Sequence, residues 1–321
     1  VTRRSAVPPP VTAVLDASSR WLPSRLGEVE ERLRATVGAH GDRLGEDATA
    51  TLVAGGKRLR PMLVLLCAGE AGGAASVRAA TAIELIHMAT LVHDDVLDEA
   101  PLRRGHPTVA ASSGRDRAVA TGDLLLSRAF ALLSDAGDSR AVALLAEASV
   151  ALARGELAQR HDAFDQSISE QRYLERCRLK TAKLFECACL LGHDDEYLRA
   201  FGSEVGLAFQ LLDDVLDVAG PPERTGKARG TDLLDGTITL PLIEAAAVDP
   251  GIREVDLHGL DPAAAELLCE RIADSGALDR VRARALEMVA SAKRRLDGAS
   301  FAPEQRQLLG LVADGVVQRY S

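Results

Sequence analysis

Asp-Asp-Val-Leu-Asp occurs twice in this chain, once in LVHDDVLDEAPLRRG (Leu91–Gly105) and again in FQLLDDVLDV (Phe209–Val218). In each copy the outer aspartates, Asp94 and Asp98 or Asp213 and Asp217, are four residues apart. On a helix that spacing puts both carboxylates on one face, a turn apart. Asp95 and Asp214 point about 100° away from them. Pro101 and Gly220-Pro221-Pro222 follow closely, so both clusters fall at helix C-termini, where the backbone dipole is already negative. An isolated copy could be a solvated helix end. These two have apolar flanks (Ala89 to Val92; Phe209, Leu211, Leu212), which resist burying so much unpaired charge. Hard divalent cations resolve the conflict, because Mg²⁺ takes oxygen ligands and shares its shell with water and phosphate.

Carboxylate-bound metals of this kind act on anionic substrates, and cationic residues stand at matching places. GGKRLRP (Gly55–Pro61) places Lys57, Arg58 and Arg60 after two glycines and at a helix start, a favourable setting for phosphate. Arg103 and Arg104 lie just past the first cluster, and Lys227 lies in the glycine-rich stretch past the second. Lys180 and Thr181 interrupt an apolar helix in LKTAKLFE. Arg offers a bidentate fork to phosphate oxygens and Lys a movable point charge.

The elements that position these residues read as helices. Apolar residues recur three and four apart over about 17–40, 61–70, 75–99, 115–135, 138–162, 169–191, 194–218, 238–247, 261–274, 276–297 and 303–319, with no credible run of alternating strands. Glycine and proline turns separate them. The expected fold is all-α, one large antiparallel helical bundle over residues 13–321, after a loose tail over 1–12 that carries Pro8, Pro9 and Pro10. The 321 residues suit one large helical domain, and 47% hydrophobic content with only 3% aromatics means an Ala, Leu and Val core. With 38 Lys plus Arg against 47 Asp plus Glu, the charge of −9 argues against a nucleic-acid surface. Five cysteines without C-x-x-C spacing read as buried thiols of a reducing compartment. No apolar run suggests a membrane span or signal peptide, so a cytoplasmic location is expected.

GGKRLRP, ELIHMATLVHDDVLDEAPLRRGHPT, GDLLLSRAF, LKTAKLFE, FQLLDDVLD and GKARGTDLLDGTITLP, in that order, resemble the trans-polyprenyl diphosphate synthase family in its bacterial, long-chain form. The resemblance runs from about Leu52 to Leu242. It implies the isoprenoid synthase type of bundle and a head-to-tail prenyl transfer from an allylic diphosphate (farnesyl or geranylgeranyl) to isopentenyl diphosphate. It makes Asp94, Asp98 and Asp213 the ligands of about three Mg²⁺ ions, oxygen donors suited to that metal, with Asp95, Asp214 and Asp217 acting through water or neighbouring groups. Lys57, Arg60, His87 and Arg104 match the isopentenyl diphosphate site. Arg103, Lys180 and Lys227 match the allylic diphosphate site, and Thr181 and Gln210 lie beside the developing carbocation. By the same resemblance Lys180, Thr181 and Gln210 are the groups nearest the chemistry. His93 and His106 carry no such role.

Two departures and two alternatives qualify that picture. Thr237 stands where many relatives carry Lys, which removes one cationic contact from the allylic diphosphate. Ala89 and Thr90, five and four residues before Asp94, leave open the shaft that bulky aromatics close in short-chain relatives. Thr90 lies roughly 6 Å below Asp94 along the helix, and an open shaft there predicts an all-trans product of about thirty to fifty carbons. The alternatives within the same ancestry are a short-chain farnesyl or geranylgeranyl diphosphate synthase, and a terpene cyclase or non-catalytic subunit. Cyclases replace the second aspartate cluster and need no isopentenyl site, and non-catalytic subunits lose aspartates, whereas both clusters are intact here. The family also implies a homodimer, with an apolar product released at a membrane surface.

Overall fold

The computed structural model describes residues 9–18, 21–39, 43–220 and 229–318. Helices run α1 (Pro9–Ala17), α2 (Trp21–Gly38), α3 (Arg43–Val53), α4 (Leu59–Ala68), α5 (Gly73–Leu97), α6 (Val109–Ser113), α7 (Arg115–Ser134), α8 (Ser139–His161), α9 (Glu170–Cys177), α10 (Lys183–Gly192) and α11 (Glu196–Ala219). They continue as α12 (Thr231–Leu234), α13 (Leu240–Val248), α14 (Pro262–Asp274), α15 (Ala277–Arg295) and α16 (Pro303–Gln318). The described chain is thus all-α apart from one two-stranded hairpin, β1 (Leu102–Arg103) with β2 (His106–Pro107).

The chain divides into two compact units. The first comprises residues 1–149, 187–199 and 299–312, and the second 150–186, 200–298 and 313–321. In the first unit α5 is the core. Its Val77, Ala80, Ile83, Leu85, Ile86, Ala89, Val92 and Val96 are all buried, and it packs against α7, α4 and α2. A helix apolar on all sides must be enclosed. The segment Glu70–Leu97 is long and apolar enough to cross a membrane by length and composition, and 72% of its apolar 18-residue window is buried. This departs from the expectation that no apolar run reaches the length of a span. Asp47 of α3 joins this packing through Ser113 Oγ (2.8 Å) and Arg117 (2.6 Å).

In the second unit α13 packs against α15, α14 packs on α15, and α9 leads into the irregular turn that precedes α10. Tyr173, Phe185, Phe201 and Leu211 are fully enclosed. The five cysteines are free and buried.

Several elements differ from the sequence reading. The stretch 169–191 forms two helices joined by a π-helical turn over Arg178–Ala182. Helix α3 escaped notice because Leu44, Ala48 and Leu52 are its only apolar stripe, interleaved with Gly45 and threonines. Helix α1 begins at Pro9, inside the expected tail, since proline is tolerated in a first helical turn.

Candidate functional site

In the first unit the site is built around the end of α5. Asp98 N donates to Asp94 O (2.8 Å), Glu99 takes the left-handed conformation (φ 50°), and Ala100 N reaches back to Asp95 O (3.1 Å). This six-to-one bond over a left-handed residue is the glycine-type helix stop, made here with glutamate. It turns the chain back at once into the β1–β2 hairpin. There Arg104 (φ 54°) and Gly105 (φ 78°) supply the two left-handed residues of a tight turn between Arg103 and its partner His106. Thr108 fastens the hairpin's base, donating from Oγ1 to Ala100 O (2.7 Å) and from N to Pro101 O (3.1 Å).

This turn brings Arg103 onto the aspartate cluster. Its Nε donates to Asp95 Oδ1 at 2.6 Å, and Asp95 is buried. Asp95 therefore orients an arginine, while Asp94 (half-buried) and Asp98 (exposed) occupy the other helix face. Asp94 and Asp98 are hard oxygen donors of the kind that can hold a divalent cation. Among the described residues no three His, Cys, Asp or Glu side chains converge into a ready-made metal cage. A metal that takes part of its shell from substrate and water needs no such cage.

Glycine and arginine shape the opposite wall. Gly55 is left-handed (φ 82°), and so is Arg58 (φ 49°), which starts α4. A Cβ on Gly56 would lie 2.7 Å from Arg58 Nη1 and 3.2 Å from Arg104 Nη1, so glycine there lets the two guanidiniums come close to this loop. Arg58 is held by Glu84 (Nη1 to Oε1, 2.8 Å) and by Glu30. Lys57 is exposed and Arg60 half-buried. Loss of solvent pushes Arg60 down to about 10, with Glu84 opposing the fall and Arg104 adding to it.

His87 lies in the same cleft, whose lining includes Arg58, Glu84, Asp95, Arg103 and Arg104. Its pKa is driven well below the ordinary imidazole value, first by burial and then by Arg60, Arg104, Arg103 and Arg58. A neutral imidazole ringed by guanidiniums is the electrostatic signature of an anion site. His93 instead packs on α7, where its Nε2 approaches Val119 O (3.3 Å) and Asp123 Oδ1 (3.5 Å). Thr90 donates to His87 O (2.9 Å), and Ala89 is buried.

The second unit carries the remaining residues. Lys180 and Thr181 lie in the π turn, where Lys180 Nζ pairs with Glu156 of α8, itself bound by Arg160 Nε at 3.0 Å. Thr181 Oγ1 donates to Gln210 Oε1 (2.7 Å), Gln210 Nε2 to Asp214 Oδ1 (2.7 Å), and Tyr173 Oη to Asp214 Oδ2 (2.5 Å). Burial, followed by the charge of Asp232, pushes Asp214 up to about 8, against the pull of its two hydrogen bonds. Asp217 Oδ2 accepts from Asp232 N (3.1 Å), and Asp217 O accepts from Gly230 N (3.0 Å). Asp217 thus anchors the returning chain, and Asp213 is the remaining member of the cluster. Thr237 is half-buried beside this segment, its N donating to Asp232 O (2.8 Å). Lys227 lies outside the described residues.

Three participants were given no role in the sequence analysis. Tyr173 and Glu156 occupy ordinary amphipathic helix positions and acquire meaning only through partners 41 and 24 residues away in sequence. Glu84, by contrast, stands alone as an acid within the apolar run TAIELIHM, a signal that sequence reasoning could have used.

Residues 42–261 match the family model described as polyprenyl synthetase. The chain belongs to the polyprenyl synthetase family. It is 43% identical over 243 residues to heptaprenyl diphosphate synthase component 2 of Geobacillus stearothermophilus, covering 72% of this chain and 75% of that one. To octaprenyl diphosphate synthase of Escherichia coli it is 37% identical over 288 residues, covering 83% and 86%. Among solved structures, the polyprenyl synthase of Caulobacter crescentus complexed with calcium and isoprenyl diphosphate superposes with a TM-score of 0.88 at 34% identity, over 95% of this chain and 98% of the other. The decaprenyl diphosphate synthase of Rhodobacter capsulatus gives 0.86 at 34% identity, over 95% and 99%. The chain is accordingly a prenyltransferase with the helical isoprenoid synthase fold.

Proposed function

We propose that this prenyltransferase is a magnesium-dependent, long-chain all-trans polyprenyl diphosphate synthase that extends a farnesyl or geranylgeranyl primer with isopentenyl diphosphate. The observation that carries the reading is the neutral His87 enclosed by Arg60, Arg103 and Arg104, within two turns of Asp94 on the same helix, whose C-cap is Asp98. Lys57, Arg60, His87 and Arg104 bind isopentenyl diphosphate. The neutral imidazole donates one hydrogen bond without adding a charge that burial would oppose. Arg103, oriented by Asp95, binds the allylic diphosphate with Lys180 and Lys227.

Asp94, Asp98 and Asp213 are the residues that would hold Mg²⁺, and the ion would supply neutralisation of the departing diphosphate, which favours ionisation of the allylic carbon–oxygen bond. The Thr181–Gln210 pair is prearranged before substrate arrives and directs fixed dipoles at the positive charge that forms, at no reorganisation cost during the reaction. Attack by the isopentenyl double bond then makes the new carbon–carbon bond, and a proton leaves for the released diphosphate. No side chain is required as a nucleophile.

Two features support a long product, about thirty to fifty carbons if the shaft deepens by about 1.5 Å per residue below Asp94. Ala89 is small and buried, and Thr90 turns its hydroxyl back onto its own helix. Relatives named as heptaprenyl, octaprenyl and nonaprenyl diphosphate synthases point the same way, although geranylgeranyl and geranylfarnesyl diphosphate synthases are also among them. A cytoplasmic homodimer that hands its product to a membrane surface completes the proposal, and a light-scattering mass checks the dimer.

The deciding experiment incubates the protein with Mg²⁺, farnesyl diphosphate and excess isopentenyl diphosphate and measures product length. Polyprenyl diphosphates longer than twenty carbons are expected. Asp98→Ala should lower turnover by about three orders of magnitude, as for loss of a group that stabilises transition-state charge, with the helical spectrum unchanged. Near-normal turnover in that variant, or a cyclic hydrocarbon product, would overturn the reading.

A further inference from the structure

The turn that carries Lys180 and Thr181 is π-helical, with Lys183 N donating to Arg178 O across five residues. Such a turn inserts one residue into the helix and rotates the side chains on either side of it relative to a regular helix. Of the residues in it, Thr181 is buried and Lys180 half-buried, so its backbone is enclosed by neighbouring helices.

Two of those neighbours approach it through glycine. A Cβ built on Gly155 of α8 would lie 2.5 Å from Lys180 N, 2.8 Å from its Cα and 2.9 Å from its Cβ. A Cβ on Gly206 of α11 would lie 2.7 Å from Ala182 Cα and 3.0 Å from Phe185 Cβ and Cγ. The nearest obstructing atom at each glycine, Lys180 N or Ala182 Cα, is backbone, so no rotamer change relieves that overlap. Neither glycine has a positive φ, and both sit inside regular helix. The requirement at both positions is therefore for space, with no demand on backbone conformation. Alanine would favour both helices on propensity alone, so glycine at these two positions opposes local helix formation in return for close contact. Next to Gly155, Glu156 takes the Lys180 ammonium, so one short stretch of α8 meets both the backbone and the side chain of Lys180.

We infer that Gly155 and Gly206 clasp the π turn from two sides and are positioning residues for the reaction, fixing where the Lys180 ammonium and the Thr181 hydroxyl point. This rests on the reading of Lys180 and Thr181 as groups at the allylic diphosphate. One added methyl at either glycine displaces the turn by several tenths of an ångström or more, without touching any group that binds isopentenyl diphosphate.

The test compares Gly155→Ala and Gly206→Ala with Gly27→Ala, a helical glycine that has nothing within 4 Å of a built Cβ. Steady-state kinetics with farnesyl diphosphate, isopentenyl diphosphate and Mg²⁺ are recorded beside far-ultraviolet circular dichroism. In the two clasp variants kcat should fall about 100-fold, the scale of an ångström-sized misplacement. KM for isopentenyl diphosphate should stay within about twofold, because uniform binding of that substrate is not disturbed. Gly27→Ala should match the wild type, and all spectra should remain helical. Lys180→Ala and Thr181→Ala are measured alongside. Retained turnover in those two overturns the reading of the site, and the clasp with it. Loss there with wild-type kcat in Gly155→Ala and Gly206→Ala overturns the clasp alone. Loss of the helical spectrum in both glycine variants also overturns it, because the glycines would then serve folding only.

Discussion

Removing one hydroxyl, by Tyr173→Phe, should destabilise the metal-free protein more in alkali than in acid. Tyr173 is fully buried, and its Oη donates to Asp214 Oδ2 at 2.5 Å. Asp214 is buried with its pKa raised to about 8, and the Tyr173 bond is one of the interactions restraining that rise. At pH 6 the carboxyl holds its proton, so the lost bond is one between neutral groups, worth about 1 kcal/mol. At pH 9 the carboxylate is charged, while Tyr173 is pushed well above the usual phenol range, chiefly by burial and by Asp214, and can still donate. The lost bond is then charge-assisted, and its loss costs about 1.5–3 kcal/mol.

The linkage has a definite sign. A carboxyl whose folded pKa lies above its unfolded value contributes stability that is complete below about 4 and is lost as pH rises through about 8. Tyr173→Phe raises that folded pKa further, so the variant loses more than the wild type on the alkaline side. For a chain of this size each kcal/mol moves Tm by roughly 2 °C. The expected Tm deficit is therefore about 2 °C at pH 6 and about 3–6 °C at pH 9, read by circular dichroism melts in the presence of a chelator. An equal or smaller deficit at pH 9 would refute the coupling of Tyr173 to Asp214.

Arg58→Ala should cost about 3 kcal/mol in urea unfolding, because it leaves Glu84 buried without the guanidinium it faces, and a loss below about 1 kcal/mol, the range of an exposed pair, would contradict that. His87 should show no imidazole titration by NMR at or above its ordinary value in the metal-free protein, since burial and four arginines hold it neutral; a midpoint near 6.5 would disprove its enclosure. Ala89→Phe should shorten the product by at least one five-carbon unit in a chromatographic assay, as expected of a bulky ring about one turn below Asp94, and an unchanged chain length would place the pocket floor elsewhere.

Much of the molecule was legible in the one-dimensional pattern, for reasons of local physics. The i, i+4 spacing of Asp94 and Asp98 is a helix property, Pro101 marks the end of α5 to within a few residues, and the apolar run around His87 had to be enclosed. Ordered motifs from GGKRLRP to DLLDGTITLP carried the family, which the comparisons bear out. The sequence could not rank the aspartates by their work, because ligand, orienting group and anchor share one side chain. Asp95 holding Arg103, Asp214 joining Tyr173 to Gln210, and Asp217 receiving the backbone of Asp232 are distinctions made by partners 8, 41 and 15 residues away. The π turn was invisible for a related reason. Residues 169–191 keep an unbroken helical periodicity, and the two helices that approach the turn at Gly155 and Gly206 come from other parts of the chain. Local spacing dictates which face of a helix a residue occupies. What that face meets, and so whether a carboxylate is charged or an imidazole neutral, depends on desolvation and on charges from distant parts of the chain, and those exist only once the chain has folded.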